Sequence, residues 1–441
     1  MNILFISLGC DKNLVDSEVM LGLLDAKGYR IVDEESQADI IVINTCCFIH
    51  DAKEESIQTI LEMAEYKKEG RLKVLAVTGC LAQRYQQEIL DEIPEVDVVL
   101  GTATYDKIAD AVEEALAGNG GVRMSPLCVL PDVSAKRLVT TGGHYAYLKI
   151  AEGCDKYCTY CIIPKLRGSY RSVPMERLVS EAEELASQGV KELILVAQET
   201  TVYGKDLYGE KALYRLLREL CRINGIRWIR LLYCYPEEID DSLIRVMKEE
   251  TKICHYLDLP IQHANDDILR RMGRRTSQSE LVEMIGRLRR EIPDIALRTT
   301  LITGFPGETD EQHGELLAFV DEMEFDRLGV FTYSREEDTP AAAMPGQIPE
   351  EVKEDRQAEL MELQQEIAFA QAEEMVGREV LAMIEGKVAD ENAYVGRTYK
   401  DAPGVDGLIF IHTDEELMSG DFARVKVTGA SEYDLIGELM R

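Results

Sequence analysis

Three short apolar runs constrain the fold of this chain more than any other feature: NILFIS from Asn2, DIIVIN from Asp39 and KVLAVT from Lys73. Each has the length of a strand and is apolar almost throughout. A strand with one solvated face alternates, whereas a strand covered on both faces reads as a continuous run, as in parallel sheets lined with helices. Helical stretches from Leu14 to Lys27 and from Ala52 to Tyr66 separate the runs, giving the rhythm of an α/β sheet wound through crossover helices. Each run also leads into a cysteine: LGC ends at Cys10, NTC at Cys46 and TGC at Cys80. Residues just past the carboxyl ends of parallel strands converge on one edge, where ligands bind. Three thiols far apart in sequence are therefore expected to meet at one spot. Buried cysteine is common in cores, but three at equivalent positions favour a three-thiolate ligand set for an iron–sulfur cluster. Cys47 follows Cys46 directly, and alternation along an extended chain turns it the other way. Cys46 is read as the ligand and Cys47 as a core thiol.

A second set lies close together in EGCDKYCTYCIIP, where Cys154, Cys158 and Cys161 have the spacing C-x3-C-x2-C. Three thiolates on one loop can each hold one iron of a cubane cluster. Such clusters usually take four cysteines, so one iron stays open to a ligand that is not protein. A structural zinc site needs a second, distant pair, and no C-x2-C partner occurs elsewhere in the chain. An open iron is a place for chemistry rather than for simple electron storage.

At 441 residues the chain has room for two or three domains. It contains no run of eighteen apolar residues, so no membrane span is expected. The start, MNILFISLGCDKN, lacks a basic n-region and reads as a strand, not a signal peptide. Eleven cysteines, several in metal-like spacing, point to a reducing, cytoplasmic location rather than a disulfide framework. A turn-rich stretch from Gly118 to Gly143 separates the first domain from a longer βα series. Its candidate strands are Tyr145 to Ile150, Glu192 to Ala197, Trp228 to Tyr233, Tyr256 to Leu259, Ala296 to Ile302 and Arg327 to Tyr333. The cysteine loop follows the first of them. Sites on loops after successive parallel strands are the barrel arrangement, here with six units and therefore open. Glu350 to Met375 reads as one long amphipathic helix with Leu360, Leu363, Ile367 and Ala370 on a common face. After it, Val380 to Glu385, Ala393 to Tyr399, Gly407 to Ile411 and Ala423 to Ala430 predict a small antiparallel barrel. The expected architecture is α/β: an N-terminal open parallel sheet over residues 1–120, a partial (β/α)6 barrel over 140–372 and a β-barrel over 375–441.

With these blocks in place the chain resembles the radical S-adenosylmethionine (SAM) methylthiotransferases. The resemblance rests on GCDKNLVDSE from Gly9, NTCCFI from Asn44, YLKIAEGCDKYCTYCIIPKLRG from Tyr147, VAQETTVYG from Val196, YLDLPIQH from Tyr256, TGFPGET from Thr303 and APGVDG from Ala402. The sequence departs from the family pattern at Asp11, Cys47, Glu199, Asp338 and Gly404. The resemblance implies two 4Fe-4S clusters, one on Cys154, Cys158 and Cys161 with SAM on the open iron, the other on Cys10, Cys46 and Cys80 holding sulfur. It implies a TRAM-type C-terminal barrel. It places Tyr160 near the SAM adenine, Gln198 and Glu199 at the SAM amino group or ribose, and Arg298 with the segment containing Gly304 along the adenine. Lys12, Asn13 and Asp16 either shape the second cluster or cap a helix, and His263 is read as a structural histidine. No acid–base catalytic residue is expected, because an aliphatic C–H bond offers no proton that a side-chain base readily removes; the cofactors carry the hard step.

Within the family the blocks are most similar to the branch that methylthiolates the β-carbon of an aspartate in small-subunit ribosomal protein S-twelve. A low-potential electron donor such as flavodoxin or ferredoxin is implied as a second partner. Two alternatives stand beside this reading: a methylthiotransferase for tRNA adenosine, and a non-catalytic iron–sulfur ribosome-assembly factor. Charge separates the first. The chain carries 81 acidic and 49 basic residues, a net charge of −32, and seven basic against thirteen acidic residues fall between Val376 and Arg441. A nucleic-acid grip needs basic residues on phosphates, so nucleic acid is not the expected substrate and a basic protein is.

Overall fold

A computed structural model describes the chain except for residues 69, 132–135, 390 and 441; part of the predicted linker at 118–143 thus lies outside the described residues. The chain forms two compact units. The first comprises Met1–Thr140, Ala151–Val173 and Ser334–Ala342; the second comprises Thr141–Ile150, Pro174–Tyr333 and Ala343–Arg441.

In the first unit, the three apolar runs form β1 (Asn2–Ser7), β3 (Ile40–Thr45) and β4 (Val74–Gly79), joined by β2 (Arg30–Val32), β5 (Val98–Leu100) and β6 (Gly121–Arg123). The order is β2-β1-β3-β4-β5-β6, and every pair is parallel. The continuity of the runs has a direct cause. Ile40 and Val42 of β3 pack with Val19, Met20 and Leu24 of α1 (Asp11–Ala26), while Ile41 and Ile43 pack on the other face with Ile60 and Met63 of α2 (His50–Lys68). Neither face is left to water, so no polar residue is needed between apolar ones. The strands β2, β5 and β6 have three residues each, too few to carry a period, and only the assembled sheet defines them. Chain order reverses at β1, with β2 on one side and β3 on the other, which makes the gap between the ends of β1 and β3 the topological switch point of the sheet.

The cysteine loop of residues 151–173 packs into this same unit. A two-stranded ribbon of β8 (Ala151–Glu152) and β9 (Arg171–Ser172) closes it, and Ile162 and Leu166 join the core that also buries Leu81 and Ala82.

In the second unit, all six predicted barrel strands are present: β7 (Tyr145–Lys149), β10 (Glu192–Val196), β11 (Trp228–Leu231), β12 (Ile253–Asp258), β13 (Ala296–Thr303) and β14 (Arg327–Thr332). They form one parallel sheet in sequential order with two free edges, as expected of a partial barrel. The helix Glu350–Glu374 lies along the edge strand β14, and its buried face differs from the predicted one. Leu360 and Ile367 are buried, but Ala370 is exposed, and Lys353, Arg356 and Gln364 are buried in its place. These polar side chains satisfy groups of the strand region. Lys353 Nζ donates to the Tyr333 carbonyl at 2.8 Å and Gln364 Nε2 to the Phe325 carbonyl at 2.8 Å. An apolar count cannot find a stripe built from hydrogen-bonded polar residues.

The chain ends in a closed barrel, β15-β16-β17-β19-β18, formed by β15 (Glu379–Lys387), β16 (Ala393–Thr398), β17 (Ile409–His412), β18 (Phe422–Ser431) and β19 (Asp434–Leu439). The sequence reading found four of these strands and an antiparallel barrel. The fifth, β19, pairs parallel with β17 and antiparallel with β18, and so closes the sheet on itself. The barrel docks on the central sheet through an apolar patch in which Met383, Ala402 and Phe422 meet Trp228, Tyr256 and Ala296. A buried ion network runs across this junction. Glu192 of β10 bonds Arg230 Nε at 2.8 Å and Arg397 Nη2 at 2.7 Å, and all three side chains are essentially inaccessible.

Candidate functional site

Strand register brings the first thiol set together. Thr45 of β3 pairs with Gly79 of β4, and the next residue on each strand is a cysteine, Cys46 and Cys80. Ser7 of β1 pairs with Asn44, and Gly9, which precedes Cys10, packs directly on Cys46: a Cβ at Gly9 would lie 2.6 Å from Cys46 Cβ and 2.9 Å from its Sγ. Cys47 turns into the core on the α2 side. Burial pushes the Cys46 thiol up to about 12, and Cys80 and Cys10 add to the shift. Burial likewise raises the Cys80 thiol; a metal cluster held here would remove that cost, because a ligating thiol is deprotonated by its metal.

Gly79 is a fixed point of this geometry. Its φ of +92° is closed to other residues, and an added Cβ would stand 2.4 Å from both Asn44 Oδ1 and the Thr45 carbonyl oxygen. Gly79→Ala is expected to cost about 2–5 kcal/mol through backbone strain and overpacking. The check is a lower unfolding midpoint together with reduced iron uptake on reconstitution.

The helix α1 starts at Cys10 with no side-chain cap. Asn13 faces inward instead: its Nδ2 donates to the Leu8 carbonyl at 3.1 Å and the Thr45 carbonyl at 3.0 Å. Asp16 accepts from Arg167 at 2.8 Å, and Lys12 pairs with Asp11 at 3.0 Å. Asn13 and Asp16 therefore shape the ends of the strands rather than cap the helix.

The second thiol set sits in the loop closed by β8 and β9. Cys154 and Cys158 are buried and Cys161 is partly exposed. Cys161 N donates to the Cys158 carbonyl at 3.0 Å, and Cys154 N to the Gly168 carbonyl at 3.1 Å. Burial raises the Cys161 thiol, with Cys158 and Cys154 adding to it, so these sulfurs also share one neighbourhood. Tyr160, beside Cys161, is half-buried. Among the described residues, no three His, Cys, Asp or Glu side chains are drawn up for a single metal ion. A cubane asks for a wider set, since each thiolate takes a different iron.

The remaining candidates lie in the second unit. Gln198 and Glu199 lie just past β10, after Ala197, and Glu199 Oε1 accepts from Thr201 N at 3.0 Å. Arg298, on β13, pairs with Asp258 at 2.9 Å and with Asp406 of the terminal barrel at 3.3 Å. Gly304 has φ +71°, and its added Cβ would meet Lys353 Cγ at 2.3 Å. His263 is fully buried; its Nδ1 accepts from Asn265 N at 2.9 Å, and burial pushes it down to about 3. It is neutral at neutral pH, as a structural histidine should be.

One residue escaped the sequence reading. Arg167, six positions after Cys161, is fully buried and reaches Cys80 Sγ at 3.5 Å. A basic residue close behind a cysteine loop was the available signal.

A sequential parallel half-barrel whose first strand runs into a three-cysteine loop defines a radical SAM protein, and the model of the radical SAM superfamily matches residues 148–320. The uncharacterized protein family UPF0004 matches residues 2–101 and the TRAM domain residues 376–440. The ribosomal protein uS12 methylthiotransferase RimO of Lachnoclostridium phytofermentans is 67% identical over 437 residues, 99% of each chain. Its namesake in Desulfitobacterium hafniense is 50% identical, over 99% of this chain and 98% of its own. The chain belongs to this RimO family. Among solved structures, the radical S-adenosylmethionine methyltransferase TsrM of Kitasatospora setae, with cobalamin and a 4Fe-4S cluster bound, aligns with TM-score 0.57 at 15% identity. It covers 77% of this chain and 76% of its own, a likeness of fold.

Proposed function

We infer that this chain is a ribosomal protein uS12 methylthiotransferase, a transferase that replaces hydrogen by a methylthio group on the β-carbon of an aspartate in that basic protein. The observation that carries the reading is the pairing of two three-thiol sets in one unit with full-length kinship to the RimO family. A purely structural cluster gains nothing from an open iron, and here both sets leave one.

When bound, the 4Fe-4S clusters and SAM supply the reductive radical chemistry and the sulfur. The residues of the chain hold and orient. Cys154, Cys158 and Cys161 are read as ligands of the SAM-binding cluster, and Cys10, Cys46 and Cys80 as ligands of the second. Tyr160, Gln198, Glu199, Arg298 and Gly304 are the proposed SAM-binding residues; Gln198 and Glu199 have the strongest support, since residues just past a barrel strand are where such folds place their sites. The first two domains are read as residues 1–120 and 140–372, and the TRAM barrel as 375–441. A flavodoxin or ferredoxin is the proposed electron donor. No helix among the described residues is long and apolar enough to cross a membrane, and eleven free cysteines suit a reducing cytoplasm.

Part of the acidic surplus of the terminal barrel is spent on internal ion pairs. Of the thirteen acidic residues after Val376, three face inward: Glu385 meets His144, Asp401 Arg327 and Asp406 Arg298. They dock the barrel, and the outward surplus is smaller than the sequence sum. The barrel sequence is still net acidic, which suits a basic protein better than an RNA backbone.

The test is anaerobic reconstitution with iron and sulfide, then incubation with SAM, reductant and either recombinant uS12 or a tRNA transcript bearing the appropriate modified adenosine. Mass spectrometry is expected to find a gain of about 46 Da on an aspartate of uS12, a methylthio group in place of hydrogen. A gain on the RNA alone sinks this reading in favour of the tRNA branch.

A further inference from the structure

The helix Ile163–Arg167 begins two residues after Cys161 and ends in a guanidinium buried among groups of the other thiol set. Its two terminal nitrogens have separate duties. Nη1 donates to Asp16 Oδ2 at 2.8 Å and to Glu152 Oε2 at 3.2 Å. Nη2 donates to Asn13 Oδ1 and to Cys80 Sγ, the latter at 3.5 Å. An arginine needed only for charge balance would be complete with the two carboxylates. The second nitrogen instead reaches a sulfur, and through Asn13 it reaches further. Asn13 holds the carbonyls of Leu8 and Thr45, which lie two residues before Cys10 and one before Cys46. One guanidinium thus braces the chain at all three strand ends. Only the planar fork of arginine can divide its donors in this way; an ammonium is a single point.

We propose that Arg167 is a positioning residue for the Cys10, Cys46 and Cys80 set: it fixes Cys80 and Asn13 and sets the reduction potential of the group held there by an N–H···S hydrogen bond and a fixed positive charge. Hydrogen bonds to the sulfurs and local charge are the levers by which a protein tunes an iron–sulfur potential. A positive charge favours the reduced, more negative state, so its loss lowers the potential. Glu152 immediately precedes Gly153 and Cys154, so the peptide that carries one thiol set supplies both the cation and one of its counter-charges to the other. The proposal rests on the reading of Cys10, Cys46 and Cys80 as cluster ligands.

The experiment uses the full chain with Cys154, Cys158 and Cys161 changed to alanine, reconstituted with iron and sulfide, so that only the second set takes up a cluster. Iron content and the midpoint potential are read by electron paramagnetic resonance titration. Arg167→Gln, which removes both the charge and the donor fork, is expected to shift the midpoint to more negative values, or to lose iron while the unfolding midpoint stays in place. Glu152→Gln keeps shape and removes a negative charge beside Arg167; it is expected to shift the midpoint the opposite way, which holds the proposal to account even if the arginine variant folds poorly. Full iron with unchanged midpoints in both variants overturns it, leaving Arg167 a plain structural ion pair. A parent that takes up no iron overturns the cluster reading itself, and with it the basis of the proposal.

Discussion

Alanine at Cys154, Cys158 or Cys161 is expected to abolish SAM cleavage and methylthio transfer together. On the proposed reading each thiol would be the sole protein ligand of one iron, and the three sit on one short loop without a spare sulfur in the motif. Uncatalysed references for enzymatic reactions lie at least about 10⁶-fold below the catalysed rate, so the residual rate should vanish into the background. Alanine at Cys10, Cys46 or Cys80 should separate the two activities: SAM cleavage persists, and methylthio transfer is lost. Chromatographic detection of cleaved SAM, beside mass spectrometry of uS12, reads both. Retained transfer after loss of any one of the three strand-end thiols would remove them from the mechanism. Cys47 is the internal control. It lies in the α2-side core, so Cys47→Ala should cost stability and leave both activities standing.

The second large effect concerns stability. Glu192→Ala is expected to destabilise the second unit by about 3–5 kcal/mol, because it leaves the guanidinium of Arg230 buried without its carboxylate and that of Arg397 with Glu385 alone. Replacing all three by apolar residues of similar volume would cost far less, since the penalty belongs to the uncompensated charge. The sign with pH follows from the same geometry. Burial pushes the Glu192 carboxyl up, but Arg397 and Arg230 outweigh it and hold it below its ordinary value of 4.5. A carboxyl lowered by folding contributes stability above its unfolded pKa, and that contribution is lost as pH falls through the folded value. Thermal unfolding of wild type and variant should therefore differ most at neutral pH and converge in acid. A difference that stays constant down to pH 2 would show that the ion pair is not its source.

Much of the fold was legible because its causes are local. Continuous apolar runs mark strands covered on both faces, and β1, β3 and β4 lie where those runs lie. The six barrel strands are legible for the same reason. The strands β2, β5 and β6 were not, since three residues show no period and belong to the sheet only through their neighbours. The terminal strand β19 was missed because its role is to close a barrel, a property of the whole sheet. The long helix misled in one place: Ala370 continues the apolar face on a helical wheel yet is exposed, while Gln364 and Lys353 are buried because strand-region carbonyls await them.

By itself the sequence determined the sheets and the places of the six candidate thiols after their strands, because thiol spacing and apolar continuity are read within a few residues of each other. Only the tertiary structure decided which polar groups stand around those thiols. Arg167 is 87 residues from Cys80 and 151 from Asp16, and Glu192 is 205 from Arg397. Such partners share no local pattern; what selects them is the cost of burying a charge alone, which acts only once the chain has folded around it.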